Sequence, residues 1–579
     1  METPLDPASL VCQADWGTVF SPRSWEALWG SAAASDDTQP HIKPFSYTTT
    51  WEAVQAAAKQ GCNWCRLILL PKCTAGKVTI QLWREKVSDC TPQGERELSV
   101  KVQGECCGFS TQNYLLYTTA GNPAAQLIAA RDRITDLSTP ESFRLARECI
   151  DRCLTSHESC PQPSATTLLP DRVIDCSDAH NPRITLTGGS KRAPYLALSY
   201  VWGGPQPMTT TTNIDKYVST GIPLSILPPT IRDAITVTRS LGQKYLWIDA
   251  LCILQDSGAD KVRQLGEMRR IYRDSYLTLN AACAASTWEG FLSKPRPQRI
   301  PHARVPFRSS STAAVGVVCL AKRLDTDAAD ASRTYWDELE PIAYRGWTLQ
   351  EKLLPPRSLV YARDTLKYHC QTDVVSIGGA LCEPSTGMRL PRAIYDSANE
   401  GKGTLSAQER KVARQAWLSI VFMYTLRQIS HEDDKLPAVG GVAEQYAMVT
   451  GEQYLAGLWS GSLLFDLLWS VHSAGTDDAK KRRPARYRAP SWSWASVDGL
   501  IEARWLEETA AAVGANLRQA EVVGFWVALA ADEAPFGEVR CASLRIKAVV
   551  KKGVEFAGKG INTIVMMGAG MSGGVNLRQ

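Results

Sequence analysis

The sequence lacks the long apolar stretch that a membrane-spanning helix needs, because no run approaches about 20 consecutive apolar residues. It also lacks an excess of charge of one sign: 64 lysines and arginines against 59 acidic residues leave a formal net charge of +5. Neither glycine nor leucine recurs at a fixed period, which excludes collagen and coiled-coil rods. A dedicated nucleic-acid-binding protein concentrates a stronger positive balance on one face, so we predict no nucleic-acid partner and no membrane span.

What the sequence contains is the composition of a folded protein. Of its 579 residues, 44% are hydrophobic and 21% are charged, which is ordinary for globular domains and excludes a disordered chain. The first positions are acidic and carry no apolar signal region, so we expect a cytoplasmic protein. The 17 cysteines are odd in number and scattered along a long chain, which favours reduced thiols over a disulfide framework.

One pair of cysteines has a spacing that a metal ion could use. Cys62 and Cys65 form a CxxC pair, which is half of a common zinc site, and Cys73 lies nearby. No second pair of matching spacing accompanies it. Buried thiols on an amphipathic helix are the alternative, and this is the one that we predict.

A second group of cysteines lies on a helix expected over residues 140–157, with a threonine as its N-cap and a proline at its first position. Cys149, Cys153 and His157 recur along one face of that helix, and Cys160 follows. Metal binding by this stripe and packing of the stripe against a neighbouring element both stay open. We predict packing, and therefore no metal site in the chain.

Residues 194–279 alternate between apolar runs and helical patterns. Short strands are expected at 195–200, 245–249 and 276–279, with one helix beginning at Pro228-Pro229 and another at Asp260 between them. Strand, helix, strand, helix, strand at these lengths is typical of right-handed parallel crossovers. The pattern therefore predicts an α/β fold with a small, doubly wound parallel-sheet core.

Polar side chains follow the first two of these strands. Ser199 and Trp202 come after the first strand, and Asp249 and Gln255 come after the second. Since ligands of open parallel sheets bind beyond the carboxyl ends of the strands, we expect these side chains to share one edge of the sheet. The segment RGWTLQE at 345–351 would bring a guanidinium and a carboxylate to the same edge.

Three of these segments carry a resemblance to a known family. YLALSYVWG at 195–203, LWIDALCILQD at 246–256 and RGWTLQE at 345–351 resemble, in order and spacing, the signature blocks of the fungal heterokaryon incompatibility (HET) domain. Flanking segments at 153–175 and 434–494 are similar to those of many members. One difference is Leu254, which stands where the family usually has asparagine.

The resemblance implies a role in fungal non-self recognition, in which members trigger growth arrest or cell death after incompatible hyphae fuse. The HET domain has been likened to the flavodoxin-like TIR fold, and some TIR domains cleave NAD with a glutamate. Two functions stay open: an effector whose core binds and cleaves a nucleotide such as NAD, and a non-enzymatic adaptor that acts by self-association with a protein partner. The cofactor is otherwise unknown.

Cleavage of a nicotinamide–ribose bond builds positive charge on the sugar, which a carboxylate stabilises. Glu351 is the first candidate for that catalytic role and Asp249 is the second. A structural alternative is open for each, because Glu351 fits a capping box with Thr348 and a strand-end aspartate often caps the next segment. The predicted ligand-binding residues, in which tryptophans stack and the arginine meets a phosphate, are Ser199, Trp202, Gly203, Gln255, Arg345 and Trp347.

The sequence divides into four expected regions. They are a mixed α/β flank at 1–190, the HET domain at 191–356, an α-rich supporting region at 357–540 and a tail at 541–579. The tail holds IVMMGAGMS at 564–572, which is similar to the opening of the sirtuin NAD site, and we expect a truncated loop without a working site. A basic cluster at 480–483 is expected to be a solvated loop.

Overall fold

The computed structural model describes most of the chain. The described ranges are 6–29, 45–70, 75–86, 96–104, 108–163, 166–295, 303–310, 312, 314–322, 340–380, 389–395, 405–472, 483–502, 520–549, 553–554, 565–566 and 572–578. The glycine loop expected at 568–571 and residues 480–482 of the basic cluster lie outside them.

The described strands are β1 (Phe45–Thr50), β2 (Lys77–Lys86), β3 (Arg96–Gly104), β4 (Gly108–Tyr117), β5 (Arg172–Asp175), β6 (Arg183–Leu186), β7 (Tyr195–Ser199), β8 (Tyr245–Trp247), β9 (Leu277–Asn280), β10 (Ala303–Arg308), β11 (Val315–Lys322), β12 (Arg357–Tyr361), β13 (Leu366–Cys370), β14 (Val374–Ser376), β15 (Tyr454–Leu455), β16 (Leu458–Trp459), β17 (Ser470–Val471), β18 (Ile501–Glu502), β19 (Ala520–Leu529), β20 (Val539–Val549), β21 (Gly553–Val554), β22 (Val565–Met566) and β23 (Ser572–Arg578).

The described α-helices are α1 (Gln13–Gly17), α2 (Pro22–Trp29), α3 (Trp51–Lys59), α4 (Asn63–Ile68), α5 (Pro140–Ser156), α6 (Ile214–Ser219), α7 (Pro229–Ser240), α8 (Asp249–Cys252), α9 (Gly258–Gly266), α10 (Met268–Arg273), α11 (Thr348–Leu353), α12 (Arg392–Tyr395), α13 (Ala407–Thr425), α14 (Pro437–Thr450) and α15 (Leu463–Asp466). Within the described ranges, no helix has the length and apolarity that crossing a membrane would take.

The N-terminal sheet is antiparallel, in the strand order β1-β2-β3-β4-β11-β10. Its last two strands come from residues 303–322, inside the region expected to form the HET domain. Helices α2, α3 and α4 pack on this sheet around fully buried Trp64 and Trp51. The N-terminal core is therefore built from two parts of the chain that are far apart in sequence.

The central sheet has the order β14-β13-β12-β9-β7-β8-β5-β6. The pairs β12–β9, β9–β7 and β7–β8 are parallel, whereas β5 and β6 at one edge and β13 and β14 at the other pair antiparallel with their neighbours. The prediction of a small, doubly wound, flavodoxin- or TIR-like parallel-sheet core is therefore wrong.

The error has a physical cause. The βαβ pattern extended only from 194 to 279, while the outer strands come from short hairpins before and after it. A short connection can join only antiparallel strands. The turn at 362–365 joins β12 to β13, so the sheet continues past residue 356 with the opposite strand direction.

Local sequence explains the inner elements. All five residues of β7 are buried, as expected of a strand covered on both faces. Helix α7 places Ile231, Ala234 and Ile235 in the core, and α5 begins as predicted, with Thr139 accepting a hydrogen bond from the backbone N–H of Ser142.

In the C-terminal part, α14 packs against α10 and α11. Trp459 and Trp494 are buried, and Trp459 stacks on Tyr446 with ring centroids 4.3 Å apart. Trp492 is also buried, and Trp469 is partly buried against the same core. The hairpin β19–β20 follows, and its strands span residues 520–549.

Candidate active site

Three segments meet at the carboxyl end of the parallel strands. Ser199 is the last residue of β7, which lies between β9 and β8. Asp249 opens α8 directly after β8, and Glu351 lies in α11. The segments converge because β7 and β8 run in the same direction and Glu351 of α11 hydrogen-bonds to Ser199 at the end of β7.

Glu351 is joined to the sheet by a short hydrogen bond. The Ser199 hydroxyl donates to Oε2 of Glu351 over 2.5 Å. The nearby Tyr272 hydroxyl, which donates to the carbonyl oxygen of Leu198 over 3.1 Å, also lowers the pKa of Glu351. Glu351 is only 7% exposed and Ser199 is fully buried. Burial raises the pKa of Glu351 to about 7, against the opposing effect of the Ser199 hydroxyl. The carboxyl therefore exchanges its proton near neutral pH.

Asp249 accepts a separate pair of hydrogen bonds. The Trp202 indole N–H donates to Oδ2 of Asp249 over 2.9 Å, and the backbone N–H of Ala250 donates to Oδ1 over 2.7 Å. The nearby Tyr200 hydroxyl, which is hydrogen-bonded to the side chain of Gln206, also lowers the pKa of Asp249. Burial raises the pKa of Asp249 as well, although these donors favour its ionised form. Helix α8 has Ile248 as its N-cap and no side-chain cap hydrogen bond, and the Ala250 contact joins Asp249 only to the next residue.

Arg345 lies next to both acids. Its guanidinium donates to the carbonyl oxygen of Tyr200 over 3.3 Å. Its positive charge lowers the pKa of Glu351 and of Asp249, though less than burial raises each of them. The site thus combines two carboxyl groups with one cation.

The capping-box alternative for Glu351 does not match the contacts. The Thr348 hydroxyl donates to the carbonyl oxygens of Ile342 and Arg345, and the Glu351 carboxyl accepts from Ser199. Helix α11 has Trp347 as its N-cap and no side-chain cap hydrogen bond. Glu351 contributes to the site through the sheet and not through its own helix end.

Gly203 and Gln255 hold the surrounding loops. Gly203 has φ +65°, and a Cβ there would lie 2.3 Å from the Cβ of Ser286, so the loop after β7 approaches its neighbour too closely for a side chain. The Gln255 side chain donates to the carbonyl oxygens of Asp249 and Ile253. Both residues lie in the predicted region, and their observed contacts shape its backbone.

Trp347 points to a different part of the protein. Its indole N–H donates to Oδ2 of Asp434 over 2.9 Å, which ties the RGWTLQE segment to the DKLPA segment at 434–438. The structure therefore joins Ser199, Trp202, Asp249, Arg345 and Glu351 in one cluster, and it directs the hydrogen bond of Trp347 to the C-terminal part.

Sequence reasoning missed three residues of the cluster. The hydroxyls of Tyr200 and Tyr272 lower the pKa values of Asp249 and Glu351, and Asn280 ends β9 opposite Ser199. The Oδ1 atom of Asn280 is buried and accepts no hydrogen bond from the described residues. Asn280 was identifiable in principle, because it ends the third predicted strand just as Ser199 ends the first.

Two cavities lie near opposite ends of the parallel strands. A small one of about 30 Å³, room for about one water molecule, is lined by Asn280, Thr348 and Lys352 among others. A larger cavity of about 560 Å³ lies at the amino-terminal end of the parallel strands, where Pro194 and Tyr276 precede a strand and Arg357 begins one. The acid cluster and the large cavity are therefore at opposite ends of these strands.

The central segments match a known family. Residues 195–351 match the family model described as "Heterokaryon incompatibility protein (HET)", a range that begins at the first residue of β7 and ends at Glu351. No curated protein and no solved structure matches the chain. The matched range contains every residue of the acid cluster.

Proposed function

We propose that this chain, whose residues 195–351 match the heterokaryon incompatibility (HET) family model, is an effector of fungal non-self recognition that leads to cell death. We further propose that its reaction centre is the cluster of Glu351, Asp249, Ser199, Trp202 and Arg345. There it binds a nucleotide such as NAD and hydrolyses the bond between nicotinamide and ribose.

The observation that supports this centre is the 2.5 Å hydrogen bond from Ser199 to Glu351, beside the bond from Trp202 to Asp249. Two carboxyl groups with raised pKa values, held by different segments, are typical of sites that handle protons or positive charge. Glu351 makes no capping-box contact with its own helix, which a purely local structural role would require.

In the proposed reaction the bond from C1 of the ribose to the nicotinamide nitrogen breaks, and nicotinamide leaves with the bonding electron pair. The ionised form of Glu351 stabilises the positive charge on the sugar. At about 4 Å and an effective dielectric constant near 20, this attraction is worth about 4 kcal/mol, or roughly a thousandfold in rate. Water then adds to C1 and releases one proton, which gives ADP-ribose and nicotinamide.

A second candidate function is favoured by burial. Ser199 is fully buried and Glu351 is 7% exposed, and the cavity of about 30 Å³ that Asn280 and Thr348 help to line includes neither of them. The same hydrogen bond would then join α11 to β7 in a non-enzymatic adaptor that acts by self-association.

Nicotinamide release from NAD by the purified full-length chain, measured over a range of protein concentrations, separates the two functions. We expect release by the wild type, a fall of about a thousandfold in Glu351→Gln, which keeps an acceptor for Ser199, and no change in Glu521→Gln, an exposed carboxyl on β19. Absence of turnover at every concentration, with cell death persisting in fungal cells that express Glu351→Gln, would show the adaptor instead.

A further inference from the structure

Four metal-ligating side chains meet between α5 and β13, away from the acid cluster. Cys153 lies in the last turn of α5, His157 and Cys160 follow it, and Cys370 ends β13. One ligand atom from each lies within 4.8 Å of all the others. Nδ1 of His157 is 3.4 Å from Sγ of Cys370 and 3.8 Å from Sγ of Cys160.

These distances fit a tetrahedral metal ion. With Zn–S near 2.3 Å and Zn–N near 2.0 Å, a nitrogen and a sulfur on the same ion lie about 3.5 Å apart. The two measured distances lie on either side of that value. Three thiols and one imidazole are the donor set of structural zinc sites, which have no position left for a substrate.

The residues around the four ligands support the same interpretation. Nε2 of His157 lies 3.1 Å from Oδ2 of Asp373, so a carboxylate holds the ring with Nδ1 turned towards the thiols. The backbone N–H of Asp373 donates to Sγ of Cys370 over 3.2 Å, and the Thr372 hydroxyl lies 3.3 Å from Sγ of Cys160. Donors of this kind stabilise thiolates.

We propose that Cys153, His157, Cys160 and Cys370 bind one Zn²⁺ ion. The ion joins the end of α5 to the end of β13, and it fixes the loop at 157–161 that forms part of the wall of the large cavity. This replaces the prediction of thiols that merely pack. Cys149, which the sequence placed in the same stripe, lies outside the group, and its sulfur accepts from Arg152.

A separate group of four metal-ligating side chains lies in the N-terminal part of the chain. Cys12, Asp15, Cys62 and Cys65 also have one ligand atom each within 4.8 Å of the others. Oδ2 of Asp15, a residue only 5% exposed, lies 2.9 Å from the thiol of Cys12 and 3.1 Å from those of Cys62 and Cys65. The partner that the CxxC pair lacked in sequence is thus a CxxD pair at the start of α1.

The backbone at this pair is also arranged for a metal. The N–H of Cys65 donates to Sγ of Cys62 over 3.4 Å at the start of α4. A buried carboxylate among three sulfurs matches a four-coordinate zinc site with one oxygen ligand. We therefore infer a second Zn²⁺ ion at Cys12, Asp15, Cys62 and Cys65, which ties the N-terminal turn to α4.

Metal content of the full-length chain, purified under reducing conditions without chelator and measured by mass spectrometry, tests both sites. We expect about two zinc ions per chain in the wild type, about one in Cys370→Ser and about one in Cys62→Ser. Cys149→Ser, a buried thiol on the same helix as Cys153, should keep two. Each single variant is also the control for the other site.

X-ray absorption at the zinc edge of the wild type does not depend on whether a variant folds. We expect a sulfur-rich shell near 2.3 Å with a smaller nitrogen and oxygen contribution near 2.0 Å. Wild-type protein that contains no zinc and takes up none when zinc is added would overturn both sites. Two zinc ions per chain in Cys370→Ser would overturn the site at Cys153, His157, Cys160 and Cys370. Two zinc ions per chain in Cys62→Ser would overturn the site at Cys12, Asp15, Cys62 and Cys65.

Discussion

At the level of single residues, the buried Glu351 carboxyl sets the chemistry of the candidate site. Moving a carboxylate out of water favours its neutral form, while the Ser199 hydroxyl, the Tyr272 hydroxyl and Arg345 favour its charged form. Burial is the larger effect, so the pKa of Glu351 rises to about 7. A group with this pKa is present in both forms at neutral pH, and the proposed reaction uses the ionised form.

This balance predicts how stability depends on pH. The folded protein holds the proton on Glu351 up to pH about 7, whereas the unfolded chain releases it at its ordinary value of 4.5. The stabilising contribution is fully present below pH 4.5 and is lost as the pH rises through 7. Over that pH range, the free energy of unfolding of the wild type should fall by on the order of 3 kcal/mol relative to that of Glu351→Gln.

Urea unfolding of both proteins between pH 4.5 and 8 measures the difference. Glu521→Gln is the control, because its carboxyl is exposed on β19, and its profile should run parallel to that of the wild type. A constant difference between wild type and Glu351→Gln across the range would mean that Glu351 is ionised in the folded protein throughout.

At the level of elements, the turn after β7 positions the cluster. Trp202 reaches Asp249 from this turn, and the carbonyl oxygen of Trp202 accepts from the N–H of Thr287. The turn can approach that neighbouring loop only because Gly203 has no side chain and has a positive φ. A loop conformation therefore controls where the indole lies.

Gly203→Ala should destabilise the protein through two effects. The left-handed conformation costs an alanine about 1 kcal/mol, and the overlap with Ser286 adds roughly 1–3 kcal/mol. Gly188→Ala is the matched control, since Gly188 has φ +58° and open space around its Cβ position. It should lose only the conformational part. Equal losses in the two variants, measured by urea unfolding, would contradict the close approach.

At the level of the whole molecule, each of the two large sheets is built from strands that lie far apart in the sequence. Strands β10 and β11, from the middle of the sequence, complete the N-terminal sheet. The central sheet takes β5 and β6 from before the family match, and β12, β13 and β14 from after it. The range that carries the family signature is therefore not the range that forms a closed core.

A fragment of residues 195–351 should consequently fail to fold to a packed state. It would leave β8 without β5 and β9 without β12, which exposes two strand edges and the core that the missing strands cover. We expect aggregation or a molten state with dye binding and a weak near-ultraviolet circular dichroism signal. The full chain is the reference, and cooperative unfolding of the fragment would contradict this prediction.

The inner elements were predictable because their determinants are local. The buried run at 195–199, the prolines that open α7 and the cap at Thr139 each act within a few residues. The three signature segments also indicated that Ser199, Asp249 and Glu351 belong together, and the structure brings them together. Their catalytic role stays a prediction.

The sequence by itself determined the order of the inner strands and helices, the family of the central segments and the ligand spacing Cys153-x3-His157-x2-Cys160. Only the tertiary structure decided the mixed direction of the sheet, the bond of Glu351 to Ser199, and the position of Cys370 beside Cys153, His157 and Cys160. The physical reason is the separation of the interacting residues along the chain. Caps, turns and periodicity act between near neighbours. The hydrogen bond of Glu351 to Ser199 spans 152 positions, and the contact of Cys370 with His157 spans 213, so a local pattern does not encode them.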